Sequence, residues 1–146
     1  MKYVSKSIKE TADIAAKFLE KIEKLNKSEK AVVVGLDGDL GSGKTAFTKE
    51  IANILGVKET VTSPTFVIEK TYKLKNQKFN HLIHIDAYRL ASGSELTHLG
   101  WSEISSDPKN LIFIEWPEIV KDILPDDMIK INFEFIDETT REITFE

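Results

Sequence analysis

The clearest chemistry in this 146-residue chain lies in eight residues, Gly38-Asp39-Leu40-Gly41-Ser42-Gly43-Lys44-Thr45. Their spacing, Gly-x-x-x-x-Gly-Lys-Thr, matches the phosphate-binding loop, or Walker A pattern, at every fixed position. By average residue usage a chain of this length carries that pattern by chance roughly 0.5% of the time, so coincidence is a poor explanation. Glycines let a loop curl around phosphate without side-chain collision, and the backbone N–H groups at a helix N-terminus then converge on one anion. The expected nucleotide-binding residues are therefore Asp39, Leu40, Gly41, Ser42, Gly43, Lys44, Thr45 and Ala46. Lys44 would hold the β- and γ-phosphates of a nucleotide, and the Thr45 hydroxyl would ligate Mg²⁺.

Such a loop needs carboxylates, because Mg²⁺ prefers oxygen ligands and a hydrolytic water must be oriented. Asp86 ends the run Leu82-Ile83-His84-Ile85, and Glu115 ends Leu111-Ile112-Phe113-Ile114. Ligands gather at the carboxyl ends of parallel strands, so both acids are candidates. Glu115 sits as a Walker B acid would, with Glu where Asp is commoner; these residues alone leave open which acid meets the metal. Thr62, Ser63 and Thr65, around Pro64, form a candidate γ-phosphate-sensing switch. His81 and His84 are three apart on a strand and so face opposite ways, which argues against a shared metal. Trp101 and Trp116 read as core or edge anchors.

These residues need elements to hold them. Ser7 to Asn26 spaces Ile8, Ala12, Ala15, Phe18, Leu19, Ile22 and Leu25 as an amphipathic helix, with Ser7 and Glu10 placed as a capping box. Ala31 to Leu36 is a buried strand running into the glycine loop, and Ala46 to Leu55 is the helix behind it, with Phe47, Ile51, Ile54 and Leu55 inward and Gly56 as its stop. Phe66 to Leu74 and Phe79 to Ile85 form an antiparallel hairpin around Lys75-Asn76-Gln77-Lys78. Short helical turns over 92–106, a strand at 111–114, a helix at 117–123 and a C-terminal hairpin of 128–136 with 141–145 complete the pattern. The fold class is α/β, a P-loop NTPase-like three-layer fold with a mixed central sheet, and residues 1–146 read as a single domain.

Composition narrows the function. With no cysteine the chain has no disulfide, thiolate metal site or cysteine nucleophile, which suits a reducing cytoplasm. No apolar run reaches membrane length, and Met1 to Lys6 lead into an amphipathic segment instead of a signal sequence. The net charge is −4, yet residues 1–30 carry 8 bases and 5 acids while 111–146 carry 3 and 10. That balance argues against a stand-alone nucleic-acid binder. Only two arginines occur, Arg89 and Arg141, and Arg89 alone falls near the expected site. A small-molecule kinase, the alternative enzyme, usually brings an arginine-bearing lid, and none is evident. A GTPase would show an Asn/Thr-Lys-x-Asp guanine motif, and none follows the loop.

The chain resembles the TsaE (YjeE) family, small P-loop ATPases of bacterial tRNA threonylcarbamoyladenosine biosynthesis. The resemblance rests on GDLGSGKT at 38–45, SPTF at 63–66, HIDAYRL at 84–90, ELTHLG at 95–100 and IEWPE at 114–118. It implies an ATPase working with a TsaD-like carbamoyltransferase and a TsaB-like paralogue to modify the adenosine 3′ of the anticodon in tRNAs reading codons that begin with A. ATP and Mg²⁺ are the implied cofactors, with tRNA reached through the complex. Thr45 and Glu115 would bind the metal, Lys44 and the loop amides the phosphates, and Asp86 would lie near the γ-phosphate or metal shell. Ala46 replaces a second threonine of the commoner loop, leaving its backbone N–H for the α-phosphate. With arginine so scarce, hydrolysis by the isolated chain is expected to be slow.

Overall fold

A computed structural model of the chain describes residues 1–24, 29–39, 41–59, 61 and 68–145. The buried apolar runs form the middle of a sheet. Its strands are β1 (Lys2–Ser5), β2 (Val32–Asp37), β3 (Glu69–Lys73), β4 (His81–Asp86), β5 (Asn110–Glu115), β6 (Ile129–Phe135) and β7 (Arg141–Phe145). The order across the sheet is β1-β7-β6-β2-β5-β4-β3. β6, β2, β5 and β4 run parallel, while β1 on β7, β7 on β6 and β3 on β4 are antiparallel. The sheet is thus mixed, as the sequence suggests.

Helices cover both faces. α1 (Ile8–Glu23) and α2 (Lys44–Ile54) lie on one, burying Phe18, Leu19, Phe47 and Ile51 against Val34, Leu36, Leu111 and Phe113. α3 (Gly93–His98), α4 (Trp101–Ser106) and a 3₁₀ segment, Pro117–Ile123, cover the other, where Leu96, Trp101 and Val120 meet Val33, Ile83, Ile85 and Ile112. Phe47 and Ile51 are fully buried; each such side chain stabilises the fold by roughly 1.5–3 kcal/mol relative to exposure. They anchor the helix whose first residue is Lys44.

Local signals account for most boundaries. The Ser7 hydroxyl accepts from the Glu10 N–H at 3.1 Å, but Glu10 Oε1 reaches back to the Lys6 N–H at 3.2 Å, so the cap closes one residue early. α2 ends in a Schellman turn: Val57 N–H donates to the Ala52 carbonyl (2.9 Å), Gly56 N–H to Asn53 (3.1 Å), and Gly56 sits at φ +86°.

Several expectations need correcting. Strand β1 is absent from the sequence reading, because Lys2-Tyr3-Val4-Ser5 is a mostly exposed edge strand defined only by its pairing with β7. Ile8, expected inward, is 78% exposed because the first turn of α1 opens onto a surface cavity. Ile54, at the last turn of α2, is also exposed. Lys78, at the turn of the expected hairpin, donates from its ammonium to the carbonyls of Ile22 (3.4 Å) and Glu23 (3.0 Å) at the end of α1. Leu25, Asn26, Phe66 and Val67, assigned to predicted elements, lie outside the described residues.

Candidate functional site

β2 delivers the chain to the glycine loop at its carboxyl end, and α2 carries it away. Gly38 has φ +153°, and a Cβ there would lie 2.6 Å from the Phe133 carbonyl and 2.7 Å from Ser42 Oγ. No side chain fits. Gly43, the N-cap of α2, has φ +109°. These two positions explain why the motif demands glycine. Leu40 lies outside the described residues, as do Thr62, Ser63 and Thr65, so the expected switch is not placed.

Lys44 is 4% exposed. Its ammonium donates to the Gly38 carbonyl and stands 3.7 Å from the centroid of the Trp116 ring. Burial lowers the Lys44 pKa from its ordinary value, opposed by the carboxylates of Glu115, Asp86, Glu118 and Asp37. The next residue, Thr45, donates from Oγ1 to Glu115 Oε2 at 3.1 Å, with Oε1 at 3.4 Å. The loop threonine and the acid 70 positions away therefore meet.

Asp86 and Glu115 end β4 and β5, directly opposite each other in the parallel register. Both are almost fully buried. Asp86 Oδ1 accepts the Tyr88 N–H at 2.9 Å, which turns the chain away from the sheet. Gly41, Gly43, Lys44, Thr45, Ala46, Asp86 and Glu115 all line one cavity of about 390 Å³. Ser42, Gly43 and Ala46 also border a second, of about 300 Å³, between the loop, the start of α1 and β7. Asp39 lies on the opposite side of the loop, facing β6.

Three contributors were missed or underrated. His84 Nε2 lies 2.6 Å from Glu115 Oε2, fully buried; its spacing from His81 gave no hint of a partner 31 residues downstream. Trp116, read as an anchor, packs against the core on the α3 and α4 face and also covers Lys44, with φ +60° directly after Glu115. Arg141, not Arg89, lines the cavity: it starts β7, and its aliphatic stem runs past Gly43. Its Nη1 donates to the carbonyls of Asp137 and Thr140. Arg89 sits exposed on the loop after β4.

Residues 5–143 match the family model described as threonylcarbamoyl adenosine biosynthesis protein TsaE. The chain belongs to the TsaE family. It is 43% identical to the tRNA threonylcarbamoyladenosine biosynthesis protein TsaE of Rickettsia felis over 110 residues, 75% of this chain and 61% of that protein. The matched part thus spans about three fifths of that relative. The Rickettsia typhi protein of the same name is 38% identical over 92% of this chain and 87% of its own, and the Bacillus subtilis one 39% identical over 77% and 68%. The crystal structure of Bacillus subtilis YdiB superposes with a TM-score of 0.74 at 30% identity, covering 99% of this chain and 83% of that one. The fold is that of a P-loop NTPase. Among the described residues no helix is long and apolar enough to cross a membrane.

Proposed function

We propose that this chain is the ATP-hydrolysing subunit of a cytoplasmic tRNA-modifying complex, with residues 1–146 acting as one ATPase domain. It supports threonylcarbamoylation of the adenosine 3′ of the anticodon in tRNAs reading codons that begin with A. Its partners are a TsaD-like carbamoyltransferase and a TsaB-like paralogue, and tRNA is met through them. The observation that carries the reading is the meeting of Thr45 and Glu115 beside Lys44, at the mouth of a loop where Gly38 admits no side chain.

The donors in that cavity suit Mg²⁺, because the Thr45 hydroxyl and the Glu115 and Asp86 carboxylates are all oxygens. Among the described residues no group of three or more His, Cys, Asp or Glu is placed to hold an ion. This agrees with a cation that takes one or two protein oxygens and completes its shell with phosphate and water. Thr45 and Glu115 would hold it, and it would neutralise charge on the β- and γ-phosphates. Lys44 would leave the Gly38 carbonyl and the Trp116 face for those phosphates, while the N–H groups of Gly41 and residues 43–46 would cradle the chain of phosphates; the Ser42 N–H donates to the Asp39 carbonyl. Asp86 stands near the γ-phosphate, where a carboxylate orients the attacking water. Neither arginine is poised as a finger: Arg141 is held by carbonyls and Arg89 is exposed on a loop. Hydrolysis by the isolated chain is therefore slow and is completed by the partners.

ATP turnover measured alone and with the two partner proteins tests the reading. Lys44→Ala and Glu115→Ala are expected to lower it by about 100-fold or more while thermal unfolding stays near wild type. Near-normal turnover in either variant refutes the site. ADP release that ignores the partners but requires a small metabolite would replace this reading with a kinase.

A further inference from the structure

His84 is on the same sheet face as Asp86, Phe113 and Glu115, since the β4–β5 register sets His84 opposite Phe113 and Asp86 opposite Glu115. That face is the one covered by α1 and α2. The imidazole is fully buried, and its Nδ1 has no hydrogen-bond partner among the described residues. An apolar side chain would fill this place better, because a buried polar atom without a partner is costly. What distinguishes a histidine here is its other nitrogen, which lies 2.6 Å from Glu115 Oε2. An ionised carboxylate offers only acceptors, so Nε2 carries the hydrogen.

We propose that His84 is a positioning residue for the nucleotide-bound cation: its Nε2–H fixes the rotation of the Glu115 carboxylate. The inference rests on the ATPase reading above and adds to it the group that sets the acid in place. Glu115 Oε2 receives both the imidazole N–H and the Thr45 hydroxyl (2.6 and 3.1 Å), whereas among the described residues Oε1 has only the 3.4 Å approach of Thr45. The imidazole thus holds one oxygen against the protein and leaves the other more weakly engaged, on a side chain that lines the cavity. Without that donor the carboxylate swings about its side-chain torsions beside the like-charged Asp86, and the pairing with Thr45 loses its geometry.

The test compares His84→Leu, which removes the donor, with His84→Gln, whose amide N–H can reach the same oxygen. Mn²⁺ serves as the metal probe, bound with a non-hydrolysable ATP analogue and followed by electron paramagnetic resonance. Analogue binding in EDTA, thermal unfolding, and kcat and KM for ATP with Mg²⁺ complete the set. His84→Leu is expected to weaken Mn²⁺ binding about tenfold, to lower kcat more than it changes KM, and to leave metal-free analogue binding unchanged. His84→Gln is expected to recover most of the loss. Unchanged Mn²⁺ affinity and kcat in His84→Leu overturn the proposal, as does a Gln variant no better than the Leu variant. An equal loss of analogue binding with and without metal assigns His84 a purely structural role and overturns it too. Wild-type protein that binds the analogue and Mn²⁺ while His84→Leu matches it sinks this inference alone; wild-type protein that binds neither sinks the ATPase reading along with it.

Discussion

Replacing Gly38 by alanine is the most direct test of how the loop is built. The added methyl would sit 2.6 Å from the Phe133 carbonyl and 2.7 Å from Ser42 Oγ. Phe133 O belongs to the backbone of β6, and Ser42 is buried, so neither neighbour can swing aside. Overpacking of this kind costs about 1–3 kcal/mol. The backbone at φ +153° adds about 1–3 kcal/mol for any residue other than glycine. Alanine also restricts the unfolded chain, which offsets about 0.4–1 kcal/mol. The net loss is then about 1–5.6 kcal/mol, or a fall in Tm of about 4–22 °C for a domain of this size. Gly41→Ala is the control. Its methyl would meet nothing within 4 Å, leaving only the strain of φ +77°, about 1 kcal/mol and a drop of about 4 °C. Thermal unfolding by circular dichroism reads both, and a fluorescent ATP analogue reads the site. Gly38→Ala should also lose analogue binding, because the loop backbone must move to make room for the methyl. If Gly38→Ala melts within about 2 °C of wild type and still binds the analogue, the loop geometry argued here is wrong.

Two further outcomes follow from burial of charge. Burial lowers the Lys44 pKa below 10.5, so between the lowered value and 10.5 the unfolded chain binds more protons than the native one. Stability contributed by this group therefore rises with pH across that window, while ATP-analogue affinity falls as the ammonium charge is lost; Lys44→Arg should flatten both, and a wild-type affinity constant up to pH 10.5 would contradict the argument. Burial raises the Glu69 carboxyl above 4.5, and its Oε1 has no partner among the described residues. Native protein then binds more protons than unfolded protein between 4.5 and the raised value, so stability falls as pH climbs through that window and the penalty is complete above it. Glu69→Gln should be more stable than wild type at neutral pH, with the gain vanishing at pH 4 and below; a gain independent of pH would refute the assignment.

How much of this was legible in the sequence depends on the range of the interactions. The glycine loop, the strand before it and the helix after it are neighbours in the chain, and their residue types follow from local requirements on backbone and burial. The acids ending two apolar runs were legible for the same reason. β1 was not, because its alternation is weak and its partner β7 lies at the other end of the chain. His84 and Arg141 were missed on the same ground. The histidine is explained only by the register that places β4 beside β5, and the arginine only by the hairpin that returns β7 toward Gly43. Ile8 and Ile54 fit the helical period but lie at the first and last residues of their helices, where the stripe runs past the sheet.

The sequence left Asp86 and Glu115 as equals, and the sheet order separates them. Leu36 of β2 pairs with Glu115 of β5, and Glu115 in turn pairs with Asp86 of β4. The loop that leaves β2 just beyond Leu36 is therefore one strand from Glu115 and two from Asp86. With strands about 4.8 Å apart, Asp86 starts roughly 10 Å from the line of β2. Thr45, at the start of α2, reaches Glu115 at hydrogen-bond distance, while Asp86 lines the same cavity. Two carboxylates at one level on one face repel unless donors meet them. Thr45 and His84 meet Glu115, the Tyr88 N–H meets Asp86, and the Lys44 ammonium feels both. The pair is thus asymmetric before any ligand enters: one acid is fixed against the loop threonine, and the other lines the same cavity one strand farther from the loop.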